Sequence, residues 1–278
     1  MCIDCGCQSS DNSHFHPAHD HSHEHDGHGH DHEHPHATPS DPHATPRRIS
    51  LELDVLAKND RMAAENRSFY REKRILALNV LSSPGTGKTT LIEQTILALR
   101  KRFQSEKNAF PLAVIEGDQA TSRDADRIRQ LGVPAIQINT GKGCHLDAHQ
   151  IGHASRELPL SPGLLLMIEN IGNLVCPALF DLGESAKVVL FSVTEGEDKP
   201  IKYPQMFQAA NLVLLTKTDL LPYLDFDRET ALNYIRAINP GTAILGVSSK
   251  SQEGMEEWIE WIVSLQKRAC DPALAPET

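Results

Sequence analysis

"ILALNVLSSPGTGKTTL", residues 75–91, decides how the rest of the chain must be read. Its first half is a nearly unbroken apolar run, which reads as a strand (75–83) buried on both faces. Its second half fits G-x-x-x-x-G-K-[ST], with Ser82 in place of the first glycine and Gly87-Lys88-Thr89 intact. Strand, Gly-rich turn and helix form the context in which exposed N–H groups and a helix dipole cradle phosphates. Gly85, Thr86, Gly87, Lys88, Thr89 and Thr90 are therefore expected to hold a nucleotide. Lys88 would reach the β- and γ-phosphates, and the Thr89 hydroxyl would bind Mg²⁺. Ser82 need not impair contacts made by backbone.

Further apolar strands are expected at 111–116, 135–139, 164–169, 187–193, 211–216 and 243–248, most of them separated by helices at 88–102, 121–131, 226–238 and 253–267. The alternation predicts an α/β fold, a mostly parallel sheet covered by helices on both faces, as in P-loop NTPases. "SLELDVLAKNDRMAAENRSFYREKR" (50–74) precedes it with helical spacing of Leu51, Val55, Leu56, Met62 and Ala63. The domain is placed at residues 47–278.

Two further strand ends name the base. Thr216-Lys217-Thr218-Asp219 resembles [NT]-K-x-D, whose carboxylate accepts from guanine N1–H and the exocyclic amine, groups that adenine cannot offer. Ser248-Ser249-Lys250 follows the next strand and resembles the S-A-K loop of GTPases. Three motifs in order, each at a strand's C-terminal end, favour GTP. Two acidic strand ends remain: Glu116 and Asp118 after one strand, Glu169 and Gly172 after another. Asp118 and Glu169 are the preferred Mg²⁺ and γ-phosphate sensing groups, acting with Lys88, and Gly172 would let backbone approach the γ-phosphate.

Residues 1–46 are a different kind of sequence. They hold twelve of the fifteen histidines and eight of the 37 acidic residues, but none of the 27 Lys and Arg. The remaining 232 residues are thus almost neutral, at −2, with no basic stripe for nucleic acid. The segment has nothing to bury and is expected to be disordered without a ligand. Irregular spacing and interleaved acids speak against a tag, and neutral imidazole suits Ni²⁺, Zn²⁺ and Cu²⁺. No apolar run reaches the roughly 18 residues of a membrane span, and no secretory leader is visible, so a cytoplasmic setting is expected.

The cysteines read as metal ligands rather than cross-links. Cys2, Cys5 and Cys7 in "MCIDCGC" can wrap one ion, square-planar Ni²⁺ or tetrahedral Zn²⁺. Cys144-His145 in "TGKGCHLDAHQ" (140–150) has no evident oxyanion hole and is not expected to be a nucleophilic dyad. With Cys176 it offers mixed sulfur and nitrogen ligation for Ni²⁺ or Zn²⁺, three donors per chain, which invites water or a second subunit to complete the shell.

Taken together, "CIDCGC", the His-rich tail, "SSPGTGKTTL", "EGDQAT", "GKGCHLDA", "ENIGNLVCPA" and "TKTDLL" resemble the HypB family, the nickel-incorporation GTPases of [NiFe]-hydrogenase maturation. The resemblance covers essentially the whole chain. It implies a slow GTPase of the SIMIBI class that dimerises in a GTP- and metal-dependent way. It further implies delivery of Ni²⁺ to the hydrogenase large-subunit precursor, with the small nickel chaperone HypA as partner. The urease accessory GTPase UreG carries a Cys-Pro-His motif, whereas here Cys144 and His145 are adjacent. A nickel storage protein is the rival from another class, but storage would not require the cysteine sites.

Overall fold

The computed structural model describes the backbone of residues 44–104, 110–118, 123–141 and 143–270, and side chains from Asp54 onward. The expectations for residues 1–43, including Cys2, Cys5 and Cys7, lie outside the described residues. The chain divides into two units at Leu53–Asp54, and the second, from Asp54 on, holds the sheet.

Helix α1 (Ala44–Lys73) leads into β1 (Leu76–Ser82), α2 (Lys88–Phe103), β2 (Leu112–Asp118), α3 (Arg123–Gln130), β3 (Ala135–Asn139), α4 (Ala148–Glu157) and β4 (Leu165–Glu169). There follow α5 (Cys176–Leu179), β5 (Ala186–Ser192), α6 (Lys199–Lys202), α7 (Pro204–Gln208), β6 (Leu212–Thr216), a 3₁₀ turn (Thr218–Tyr223), α8 (Arg228–Ile238), β7 (Ala243–Val247) and α9 (Met255–Cys270). The seven strands form one sheet in the order β3-β2-β4-β1-β5-β6-β7, and every pairing is parallel.

Strand periodicity divides the core between two faces. Leu76, Leu78 and Val80 of β1 pack with Ile92, Ile96 and Leu99 of α2 and Trp258 and Ile262 of α9. On the opposite face Ala77 packs with Tyr70 of α1 and Ile151 of α4, and Leu81 with Phe207 of α7 and Ile235 of α8. The unbroken burial of β1 is thus the mark of a central strand covered twice.

The structure differs from expectation in three places. Strand β2 runs through Asp118, so Glu116 and Asp118 are strand residues on one side of it. Gly117 between them is packed so closely by Leu146 that any Cβ would meet it at 2.8 Å. The buried stripe of α1 is Asn59, Ala63, Asn66 and Tyr70, whereas Val55, Leu56 and Met62 are only half-buried. Its grip is polar. Asn66 Nδ2 donates to the carbonyls of Ala148 (2.7 Å) and Leu182 (3.1 Å), and Asn59 Oδ1 accepts from the Ala148 N–H at 2.9 Å. Third, α4 is a helix the sequence reading did not place.

Candidate nucleotide and metal site

Between β1 and α2 the backbone turns through Gly85 (φ 75°) and Gly87 (φ 101°), left-handed values that glycine adopts without strain. A Cβ at either position would meet nothing within 4 Å. The glycines are required by the turn, and the space beside them is open. No side chain caps the N-terminus of α2, so its first N–H groups are available to an anion. They border a cavity of about 440 Å³ lined by the Gly85–Thr90 turn, Glu116, Asp118, Glu169 and Gly172.

The side chains around it form a connected set. Lys88 Nζ donates to Ser82 Oγ at 3.0 Å, and burial pushes its pKa down while Glu169 pulls it back. The serine that replaces the usual glycine is therefore the hydrogen-bond acceptor for that lysine. Thr89 Oγ1 donates to Glu169 Oε1 at 2.8 Å. Glu116 and Glu169 are register partners on β2 and β4. Burial pushes Glu116 up to about 8, with Glu169 adding to the rise. Burial likewise raises Glu169 to about 7, against the pull of Lys88 and Thr89. Glu116 Oε2 and Glu169 Oε2 are buried without a hydrogen-bond partner. Two orphaned carboxylate oxygens beside a threonine hydroxyl are a donor set that fits a hard cation such as Mg²⁺.

Sequence reasoning set Glu116 behind Asp118. The structure puts both at the cavity, with Glu116 directly paired to Glu169. Gly172 lies against the turn itself, where a Cβ would strike Pro84 at 2.9 Å. Arg127 also reaches the cavity wall, but its guanidinium is taken by Glu93 (2.9 and 2.5 Å) and Asp124 (3.2 Å). Nothing in the sequence pattern singled it out.

The guanine-motif residues are tied to the same turn. Lys217, itself left-handed at φ 60°, donates from Nζ to the Gly85 carbonyl at 2.8 Å. Thr216 Oγ1 donates to the Thr86 carbonyl at 3.1 Å. Ser248 Oγ donates to Asp219 Oδ1 at 2.6 Å and accepts from the Ser251 N–H at 3.0 Å. One carboxylate oxygen is thereby oriented by the Ser248-Ser249-Lys250 loop.

Cys144, His145 and Cys176 place their ligand atoms within 4.8 Å of one another, the only such His/Cys/carboxylate group of three or more among the described residues. Cys144 Sγ lies 3.5 Å from His145 Nδ1, and the His145 ring packs against Phe180, tilted by 32° with centroids 3.8 Å apart. Burial lowers the His145 pKa, which favours the neutral imidazole a metal requires.

This cluster is joined to the nucleotide cavity. Asn170, on the cavity wall just after β4, accepts the Leu146 N–H at 3.3 Å and donates to Asn79 of β1 at 3.3 Å. Asn79 Nδ2 in turn donates to Glu184 at 3.2 Å. Asn173 Nδ2 donates to the Cys144 carbonyl at 3.2 Å. Asn79, Asn170 and Asn173 were missed by the sequence reading. The visible signal was one polar residue, Asn79, inside the apolar β1.

Residues 76–246 match the family model "CobW/HypB/UreG, nucleotide-binding domain". Over 216 residues the chain is 59% identical to hydrogenase maturation factor HypB of Azotobacter vinelandii, covering 78% of this chain and 69% of that protein. The chain belongs to the HypB family. Hydrogenase maturation factor HypB of Escherichia coli (strain K12) is 55% identical over 216 residues, 78% of this chain and 72% of that protein. Among solved structures, HypB from Helicobacter pylori in complex with nickel has a TM-score of 0.69 at 36% identity, covering 80% of this chain and all of that one. HypB from Archaeoglobus fulgidus has a TM-score of 0.68 at 38% identity, covering 76% of this chain and 99% of that one. The HypB fold is thus the parallel P-loop sheet described above, and no described helix is long and apolar enough to cross a membrane.

Proposed function

We propose that this chain is a GTP-hydrolysing nickel carrier that passes Ni²⁺ to the large-subunit precursor of a [NiFe] hydrogenase. The observation that carries this reading is the physical link between the two sites. Residues 169–176 run from the carboxylate at the nucleotide cavity to a cysteine of the metal cluster, and Asn170 and Asn173 bond the opposite ligand loop.

In this reading the N–H groups of Gly85–Thr90 hold the phosphates, and Lys88 leaves Ser82 for the β- and γ-phosphate oxygens. Asp219, with Lys217 and the Ser248–Lys250 loop, selects guanine. Thr89, Glu116 and Glu169 would hold Mg²⁺, which supplies charge neutralisation on the phosphates; Asp118 stands beside them to orient water. Among the described residues the one guanidinium lining the cavity, that of Arg127, is engaged by two carboxylates. Hydrolysis is therefore slow, on the order of 10⁻⁴ to 10⁻³ s⁻¹, as in GTPases that act without an arginine finger.

Nickel is the cargo. Cys144, His145 and Cys176 bind it, with Zn²⁺ as a competitor for the same donors. Three donors leave positions for water or for a second copy of the chain, so a GTP- and metal-dependent homodimer follows. Loss of the γ-phosphate releases residues 170–176 and moves Cys176 relative to Cys144 and His145. A reducing, cytoplasmic setting keeps the thiols available. The small chaperone HypA is the partner on the supply side.

The test is Mg²⁺-dependent phosphate release with GTP and with ATP. The reading requires GTP turnover well above ATP turnover, and equal rates with the two would overturn it.

A further inference from the structure

All three histidines beyond residue 46 fall at intervals of four within one segment, His145, His149 and His153. His145 belongs to the cluster with Cys144 and Cys176; the other two take no part in the function proposed above. His149 and His153 are both exposed on α4. Their Nε2 atoms lie 3.2 Å apart and their ring centroids 4.5 Å apart. Residues four apart on a helix stack on one face. The helix beneath them is firmly held, with a capping box between Asp147 and Gln150 and with Ala148, Ile151, Ala154 and Ser155 buried on its other side. The two rings are therefore presented from a rigid element.

We propose that His149 and His153 form a second metal site on the folded domain, a bidentate imidazole chelate for a divalent first-row transition ion. The spacing is the one such an ion needs. With metal–nitrogen bonds of about 2.1 Å, adjacent ligand nitrogens stand about 3.0 Å apart in square-planar or octahedral geometry and about 3.4 Å apart in tetrahedral geometry. Donors already at that separation lose little freedom on binding. Imidazole suits Ni²⁺, Cu²⁺ and Zn²⁺, whereas Mg²⁺ prefers oxygen, so the pair does not compete for the nucleotide's cation. Among the described residues no third His, Cys or carboxylate completes this pair. Water fills the remaining positions, and the ion is held more loosely than by the sulfur ligands of Cys144 and Cys176. An exposed, exchangeable ion four residues from His145 is a loading position for that cluster.

Thermal unfolding of the full chain isolates this site. Ions held by the histidines of residues 1–46 are common to variants that differ only at His149 and His153 and cancel in the comparison, whereas a chelate present only in the folded state raises the midpoint. In the Cys144→Ser, Cys176→Ser protein, Cu²⁺ should raise the midpoint more than Ni²⁺ or Zn²⁺. Adding His149→Gln and His153→Gln should remove the rise, and either change alone most of it. Both side chains are exposed, so the metal-free midpoint should not move. Should the serine variants fold poorly, the same comparison is made with the cysteines intact, where the His149→Gln, His153→Gln protein should show the smaller rise. An equal rise with and without the two histidines, or no rise in any variant, would overturn the site. For loading, in protein with Cys2, Cys5 and Cys7 changed to alanine, the sulfur-to-nickel charge-transfer absorption of the Cys144, His145 and Cys176 cluster should appear several-fold more slowly when His149→Gln and His153→Gln are added but reach the same amplitude. An unchanged rate would overturn the loading role.

Discussion

Glu116 and Glu169 stand opposite each other on β2 and β4, each with one carboxylate oxygen buried and unbonded. Two buried carboxyls side by side resist ionisation, and each is raised from an ordinary 4.5, to about 8 and about 7 respectively. Because the folded-state values are the higher ones, the pair's stabilising contribution is complete below about pH 4.5 and is lost as pH rises through 7 and 8. The nucleotide-free protein should therefore lose stability between pH 5 and pH 8, by on the order of a few kcal/mol. Glu116→Gln should flatten that fall, and Mg²⁺ with GDP should offset it. Denaturant unfolding at both pH values checks this; an unchanged slope in Glu116→Gln would contradict it.

Lys88 and Asp219 should separate turnover from base selection. Lys88→Ala removes the cation that Ser82 holds in place, and hydrolysis should fall at least about 100-fold. Asp219→Asn replaces an acceptor pair with one acceptor and one donor, and should weaken guanine binding by about 1–3 kcal/mol. Phosphate release measures the first, and displacement of a fluorescent GDP by GTP and by ATP measures the second. Undiminished preference for GTP in Asp219→Asn would remove that residue from the base site.

Trp258 holds the rear of the phosphate-binding helix. It is fully buried, and its Nε1 donates to Thr95 Oγ1 of α2 at 2.8 Å. Trp258→Ala should cost about 3–5 kcal/mol. Trp258→Phe should cost less, because Thr95 keeps its own bond to the Leu91 carbonyl at 2.7 Å. Urea midpoints distinguish the two; equal losses would mean that the indole nitrogen, not the ring volume, carries the contact.

The N-terminal thiols should act independently of the nucleotide. Cys2→Ala with Cys5→Ala should lose one tightly bound Ni²⁺ while GTP turnover is unchanged. Retention of that ion in the double variant would contradict the reading of "MCIDCGC".

The sheet was legible because β1, β4 and β6 are apolar at almost every position, as strands covered on both faces are. The nucleotide motifs were legible because each needs a fixed residue type at a fixed strand end. The pairing of Glu116 with Glu169 was not, because it depends on β4 lying between β2 and β1, an order that no local pattern encodes. Helix α4 was hidden by its composition: "AHQIGHASRE" holds one glycine and two histidines, and its buried positions, Ala148, Ile151, Gly152, Ala154 and Ser155, include a glycine and a serine. The helical spacing of α1 was legible, and Ala63 within it is buried, but its side-chain hydrogen bonds to the sheet domain include those of Asn59 and Asn66, which no apolar pattern marks. The asparagine link between the two sites was out of reach for the same reason, since Asn170 and Asn173 look like ordinary residues after a strand.

The most direct test of a nucleotide-controlled nickel carrier is Ni²⁺ affinity at Cys144, His145 and Cys176 with GDP bound and with a non-hydrolysable GTP analogue bound. In protein with Cys2, Cys5 and Cys7 changed to alanine, the sulfur-to-nickel charge-transfer absorption reports this cluster. The account predicts that the two affinities differ by the typical coupling of about 1–3 kcal/mol, roughly 5- to 150-fold. Asn173→Ala should shrink the difference, because it cuts the bond to the Cys144 carbonyl. Equal nickel affinities in the two nucleotide states would contradict the account.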